Sequence, residues 1–425
     1  MNIAVIGSGI AGLSTAWLLS REHHVTLYEA DDHLGGHAHT VDVTVDGITA
    51  PVDTGFLVFN HQTYPHLVDL FDHLGVPTTA SEMSFSVRLV DEGVEWAGTN
   101  LATVFAQPRN LFRGAFWRML RDIPRFNRMA SEEAERDPEE GVTLGGYLAK
   151  HGFSREFRDW YLLPMAGAIW SCPTGEMLDY PLASFARFCL NHGLLQVTNR
   201  PQWYTVDGGS REYVRRLAEQ VGEVRLADPV VALRRLHRRV VVISENQGAR
   251  HFDHAVVACH PDQALRMLAD ADTQERQLLG AVPYQPNHAV LHTDASVLPA
   301  ERSAWSAWNY HAAAGGPDDR PVSVSYWINK LQPLPFETPV IVTLNPNQPI
   351  AEEKVIGEYA YDHPVFDFGA LAAQRQLEGI QGNRNTWYCG AWTGYGFHED
   401  GLRSGLAVAR RLGVQAPWLT ARRAA

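Results

Sequence analysis

The sequence predicts an α/β fold centred on a doubly wound parallel sheet. Three observations carry this. The chain opens on a short, β-rich apolar run, NIAVIG, which feeds straight into a glycine turn and an apolar helix. From about Asn60 to Arg200 helical patterns dominate and tryptophans are frequent. The C-terminal stretch then returns to the opening arrangement, with a short strand TWYCG, a glycine-rich loop and a helix.

The bulk composition fits this reading. A chain of 425 residues holds material for two or three domains, and 45% hydrophobic with 20% charged residues is ordinary for a globular protein. A net charge of −12 argues against a general nucleic-acid binder, although a local basic patch stays open. None of the four cysteines, Cys172, Cys189, Cys259 and Cys389, sits at CxxC spacing. Neither a zinc knuckle nor a disulfide framework is indicated, which fits a reducing compartment. Residues 1–20 are apolar enough to resemble a signal peptide, but they lack a basic leader and their glycines have another explanation. No apolar run reaches the roughly eighteen residues a membrane span needs, so a cytoplasmic protein is expected.

The first element after NIAVIG is GSGIAG. It places Gly7, Gly9 and Gly12 at G-x-G-x-x-G spacing, with Ser8 and Ala11 between them. Such glycines permit a tight turn and let backbone approach a pyrophosphate at the helix N-terminus. A second strand, HVTLYEA, ends in Glu29 and Ala30; Glu29 lies twenty residues after Gly9, placed to accept hydrogen bonds from a ribose. The strand–turn–helix–strand context makes this a dinucleotide site. HLGGHAHT follows, with Gly35, Gly36 and His37. A diglycine beyond the acidic strand end has no role in NAD binding.

The run from Ile3 to Thr40 resembles the FAD-dependent amine oxidase superfamily, which includes monoamine and polyamine oxidases, protoporphyrinogen oxidase and phytoene desaturases. The resemblance implies that the diglycine passes beside the pyrophosphate, with His37 standing where arginine is usual. It also places Thr54, Gly55 and Phe56, in VDTGF, near the isoalloxazine. Read from the residues alone, His37 and His39 share a strand face and Asp53 could join them as a third metal ligand. The resemblance supplies the better explanation, and no metal is expected. It further implies a discontinuous, Rossmann-like FAD domain over 1–70, 200–284 and 350–425, with an α+β substrate domain inserted at 71–199 and 285–349. No second dinucleotide fingerprint occurs, so no NADPH domain is expected.

In the middle, YLLPMAGAIW (Tyr161–Trp170) resembles the apolar segment that lines the substrate side in relatives; simple helix core is the alternative. Residues 108–130 carry Arg109, Arg113, Arg118, Arg121, Arg125 and Arg128 against one acid, Asp122, interleaved with large apolar residues. Two readings stand: a surface helix packed on the domain, or peripheral contact with the inner face of a membrane. Pro124 is expected to break or kink this helix. YTVDGGSREYVRRLAEQVG resembles the re-entry into the FAD domain, after which Val230 or Val231 matches the valine that pairs its backbone with adenine. Cys259 reads as core. In the strand QPNHAVLHTD, His288 aligns with the lysine that holds a water near flavin N5 in amine oxidases, and His292 is expected on the same face.

The last element resembles the superfamily's closing FAD motif. Gly390 ends the strand, and Gly401 and Leu402 open a helix whose dipole favours negative charge on the reduced ring. Ala391 stands where an acid usually holds the ribityl chain. Tyr395, Phe397 and His398 match the aromatic wall facing the flavin, with Tyr395 and His398 as catalytic candidates beside His288. Glu399 and Asp400 read as helix N-terminal acids. No cysteine sits where a thioether to the flavin would form, so FAD is expected to be non-covalent. The implied activity is hydride removal from a lipophilic substrate, an allylic or branched fatty-acyl or isoprenoid lipid, by a desaturase or dehydrogenase. A redox-neutral double-bond isomerase, an amine oxidase and a flavin-binding protein without turnover are the alternatives. The electron acceptor is open between oxygen, a quinone and a partner protein.

Overall fold

A computed structural model describes residues 1–136, 141–196, 200–312 and 322–419. In chain order, β1 (Asn2–Ile6) leads through the glycine turn into α1 (Ile10–Leu19) and β2 (His24–Tyr28). A hairpin follows, β3 (Thr40–Val45) and β4 (Ile48–Asp53), then α2 (Pro65–Leu74). The helical middle contains α3 (Gly114–Glu135), α4 (Leu163–Trp170) and α5 (Leu182–Asn191). The chain returns through α6 (Arg211–Ala218), β5 (Glu223–Arg225) and β6 (His254–Val257). It then runs through the long strands β7 (Tyr284–His292) and β8 (Val355–Pro364) to the closing β9 (Thr386–Tyr388) and α7 (His398–Arg411).

The nucleotide-type sheet is parallel, in the order β5-β2-β1-β6-β9, and its strands come from three separated stretches. Its centre is buried on both faces, which is why NIAVI reads as a continuous apolar run. Ile3 and Val5 point to one side, into a core shared with α1, α2, α6 and α7. Ala4, Ile6 and Tyr28 point to the other, where Leu233, Val240 and Val242 of an antiparallel three-stranded sheet cover them. The Rossmann-like α/β class therefore holds, with β structure rather than helices on its second face.

The other large sheet has seven strands, running β8, β7, then residues 341–344, 323–327, 308–312, 85–89 and 94–97. β8 pairs with β7 along its length and forms one edge of this sheet. His288 and His292 do share a face, on either side of Val290: His288 meets Glu358 and His292 meets Thr343, the two residues opposite Val290 on the neighbouring strands. His292 is fully buried against Thr343, whereas His288 is exposed.

Pro124 does not break the basic helix: α3 runs uninterrupted from Gly114 to Glu135, preceded by a 3₁₀ turn at Pro108–Phe112. Pro124 lies on the exposed side, where water can take the carbonyl that its missing N–H leaves free one turn earlier. The opposite side buries Phe116, Met119, Phe126 and Ala130, which settles the packed-helix part of the reading. Among the described residues no helix is long and apolar enough to cross a membrane.

Candidate active site

The first half of the site is backbone. The Gly7 N–H bonds the Tyr28 carbonyl at 2.9 Å, closing the turn onto β2. A Cβ on Gly12 would meet the Gly7 carbonyl oxygen at 1.9 Å, so the helix can start this close to the strand only with glycine there. Gly9 is different: a Cβ added to it meets nothing within 4 Å. It caps α1 with no side-chain cap hydrogen bond, and no acid sits in the first turn. A bare helix N-terminus beside an open space is an anion cradle. Ser8 is buried, and its hydroxyl accepts the Gly35 N–H at 3.1 Å; Gly9 and Gly35 form a parallel bridge. Gly36 closes against Gly9, with a Cβ that would sit 3.3 Å from the Gly9 Cα.

The Glu29 carboxylate accepts from the Ser8 N–H at 2.8 Å and the Asp31 N–H at 3.0 Å. The Asp228 N–H bonds the Glu29 carbonyl, tying β2 to the strand that carries Val230. Val230 is half-buried and Val231 exposed. Ala30, also exposed, sits at the same rim.

The second half is aromatic. The Phe56 N–H bonds the His37 carbonyl at 2.7 Å, so the VDTGF turn and the diglycine segment run together, with Gly55 pressed against His37. The Thr54 hydroxyl lies 2.6 Å from the Tyr361 hydroxyl, which also meets His39 Nδ1 at 3.2 Å. The His37 ring packs against Tyr361 and His363, with centroids at 5.0 and 5.4 Å, and its Nε2 is buried without a partner. His260 stacks on Tyr284 at 4.0 Å. Burial lowers the proton affinity of His37, His260, His363 and His398; His363 is held at about 4 and His398 at about 3. These imidazoles are neutral at physiological pH.

Asp53 does not join His37 and His39. It turns the other way and is held by Thr40 at 2.5 Å, by the Ser210 N–H and hydroxyl, and by Gln332 at 2.8 Å. Burial raises its pKa to about 6. Among the described residues no group of three His, Cys, Asp or Glu converges as a metal site.

At the C-terminus Gly390 is held by Ser404, whose hydroxyl accepts the Gly390 N–H at 2.9 Å. Gly401 and Gly405 let α7 cross α1 closely; added Cβ atoms would meet Ile10 Cγ2 at 2.9 Å and Thr15 Oγ1 at 2.5 Å. Leu402 and Ala11 are buried at this crossing. His398 does not stand free. Its ring stacks on Phe56 at 3.8 Å and its Nε2 shares a 3.1 Å hydrogen bond with the Tyr213 hydroxyl. Both acids beside it are caps. Asp400 accepts from the N–H groups of Tyr395 and Phe397, while Glu399 reaches across to the His66 and Leu67 N–H groups at the start of α2, each at 3.0 Å. Tyr395 and Phe397 pack on Phe188 of α5, with centroids at 5.5 and 5.1 Å, and Phe188 also stacks on His192 at 3.9 Å. Trp170, at the end of YLLPMAGAIW, joins the same cluster through Phe188 at 4.6 Å.

His288 is not part of this assembly. It is exposed on β7, 2.8 Å from Glu358 on β8. Sequence reading also passed over Tyr213, Phe188, Tyr361, His363 and the role of His260. Tyr361 and His363 carried a usable signal, because Tyr359, Tyr361 and His363 alternate along one strand face in EYAYDH. Tyr213 and Phe188 gave none, since each is an ordinary buried aromatic in its own helix.

These residues fit a dinucleotide flavin. The open space at Gly9 would admit a pyrophosphate, Glu29 would meet the ribose, and the buried His37 Nε2 has no hydrogen-bond partner of its own. The four cysteines are free, and burial pushes the Cys172, Cys259 and Cys389 thiols up to about 12, so they behave as core.

Comparison with known proteins agrees with this geometry. AofH of Mycobacterium tuberculosis, which carries the name of a flavin-containing monoamine oxidase, is 26% identical over 276 residues, covering 61% of this chain. The chain spans 57% of the length of that relative. Among solved structures, putrescine oxidase bound to putrescine is similar over 97% of this chain and 99% of its own, at 16% identity and a TM-score of 0.70. The CLA-producing fatty acid isomerase from P. acnes is similar over 97% and 98%, at 17% identity and a TM-score of 0.67. At such identities these two show a shared fold. The flavin containing amine oxidoreductase profile matches residues 10–316, and with the glycine cradle, the diglycine bridge and the closing helix in place, the chain belongs to that family of FAD-dependent oxidoreductases, with FAD as its cofactor.

Proposed function

We propose that the protein removes a hydride from an uncharged, lipophilic substrate, as a desaturase or dehydrogenase of a fatty-acyl or isoprenoid lipid. FAD supplies the hydride acceptor when bound. The chain's own residues bind, orient and shield. The α1 N-terminus and the diglycine hold the anionic end of the cofactor. The Thr54–Tyr361–His39 cluster fixes the turn that carries Phe56. Phe188, Tyr395, Phe397 and Trp170 form an apolar wall that excludes water.

One observation carries the choice of substrate. Both carboxylates of the GFHEDG loop are spent on backbone N–H groups, and the neighbouring histidines are neutral. The wall therefore offers an ammonium no counter-ion, which weighs against the amine suggested by the name of AofH. Anaerobic mixing tests this: a long-chain unsaturated lipid is expected to bleach the 450 nm flavin band (about that wavelength for any oxidised flavin), and primary amines are not. Bleaching by amines, with aldehyde formed, would reverse the assignment.

A second reading, redox-neutral migration of a double bond, has its own support. His192, His363 and His398 are held at about 4, 4 and 3, and burial raises the Tyr395 phenol. Groups so far from neutrality are poor proton acceptors, and a hydride returned to another carbon needs none. Conversion of substrate without net flavin reduction would select this reading.

A further inference from the structure

The basic segment resolves into two parts with different exposure. On α3, Trp117, Arg121, Pro124 and Arg128 follow one another at helical spacing and are all exposed, opposite the buried stripe of Phe116, Met119 and Phe126. Ahead of the helix and in its first turn the chain projects apolar side chains into solvent: Leu101 is 78% exposed, Leu111 45%, Phe112 90% and Trp117 50%. Three of these are adjacent. The Trp117 indole N–H donates to the Leu111 carbonyl at 2.9 Å, and Phe105 packs on Trp117 at 5.5 Å. The indole thus already has its hydrogen-bond partner and can enter an apolar medium without orphaning it.

The charge around this knob is cationic, on a chain whose net charge is −12. Arg121 is 73% exposed and its nearest acid, Asp122, is buried beneath it; Arg128 is exposed on the same stripe. Not every arginine is available. Arg118 pairs with Glu156, and Arg125 bonds the His151 carbonyl and lies over Phe153. Arg109 and Arg113 hold the carbonyls of Gly93 and Glu92, in a turn whose Asp91 and Glu92 offset part of their charge. Beyond Arg128 the stripe turns acidic at Glu132 and Glu135. Contact is therefore confined to the knob and the first turns of α3.

We propose that this surface, Leu111, Phe112 and Trp117 with Arg121 and Arg128 beside them, docks on an anionic lipid bilayer. The apolar tip enters the interfacial layer and the arginines lie against headgroup phosphates. The proposal goes beyond the substrate reading and stands apart from it, because vesicle binding needs no turnover.

The test is sedimentation of the FAD-loaded protein with equimolar phosphatidylglycerol–phosphatidylcholine vesicles and with phosphatidylcholine alone, beside light scattering without lipid. The wild type is expected to pellet with the anionic vesicles and to remain in solution with the neutral ones. F112S is expected to weaken binding about tenfold, and R121Q/R128Q by a similar factor. Flavin absorbance and melting of F112S should match the wild type, since Phe112 packs on almost nothing. Absence of pelleting at low ionic strength, or equal pelleting of F112S and wild type, overturns the proposal. A lipid-free dimer that F112S dissociates also overturns it, and assigns the patch to a second copy of the chain.

Discussion

The N-termini of α1 and α7 lie side by side, and they are finished in opposite ways. At α1 a glycine caps the helix, no side chain supplies a cap hydrogen bond and no acid sits in the first turn. At α7 two acids occupy the first turn, one holding the loop before the helix and the other bracing α2. One end is left open for a ligand's charge; the other is closed with the protein's own. Helix N-termini attract anions in either case. The difference is whether the fold has already used that attraction for its own stability.

The sharpest way to break this contrast is at the open end. Gly12→Ala drives a Cβ into the Gly7 carbonyl, and is expected to cost about 3 kcal/mol and abolish FAD retention. Gly9→Ala, with free space around the new methyl, is expected to leave apoprotein melting unchanged while weakening FAD binding at least tenfold. Equal damage from both substitutions, measured by thermal melting and flavin titration, would show that the Gly9 space is structural.

Asp53 extends the contrast to a buried acid that serves the fold. Its folded pKa, about 6, lies above the unfolded value, so the native state holds the extra proton. Its ionisation therefore costs stability as pH rises from about 4 to 6, by up to about 3 kcal/mol. Against Asp53→Asn, which does not titrate, the wild type should lose ground across that window and run parallel to it above pH 7 (roughly one unit past the pKa). Melting temperatures across the range check this.

At the closed end, Asp400→Ala removes the acceptor for two N–H groups and the partner of Arg403, for an expected loss of about 1–2 kcal/mol. Tyr213→Phe should cost about 1 kcal/mol, because His398 Nε2 loses its partner. The activity profile between pH 6 and 8 (about three or more units above His398's pKa) should keep its shape in that variant; a new inflection there would make His398 a titrating catalytic group. Smallest of all, His288→Ala is expected to change stability by less than about 0.5 kcal/mol and turnover not at all, since its salt bridge to Glu358 is exposed.

The open half of the site was legible because backbone constraints leave marks in composition. Gly7, Gly12 and Gly35 cannot be replaced where the backbone runs that close, and Glu29 follows from the spacing of strand and helix. The closed half was legible only in part: Glu399 and Asp400 were readable as helix N-terminal acids, but not what each of them holds. That Glu399 caps α2 depends on a contact between residues 332 and 333 positions apart, which no local pattern records. His288 misled because strand alternation puts it on the same side as His292 but does not record how far cover extends along that side: His292 is buried against Thr343, whereas His288 lies exposed beside Glu358. Pro124 misled only as a helix breaker, because the packing of the buried stripe carries the helix through it.

The parentage of the central sheet has a consequence for synthesis. β1 is made first, yet it pairs with β6, more than two hundred positions later, and the sheet is completed only by β9. α2 likewise waits for Glu399 to brace its start. On the ribosome β1 can meet β2 within some twenty residues, but its other edge, which takes β6, stays unpaired and apolar until that distant strand is made. Expression of this chain should therefore depend on chaperone supply and flavin abundance while translation is still under way, more than a shorter protein of equal final stability would.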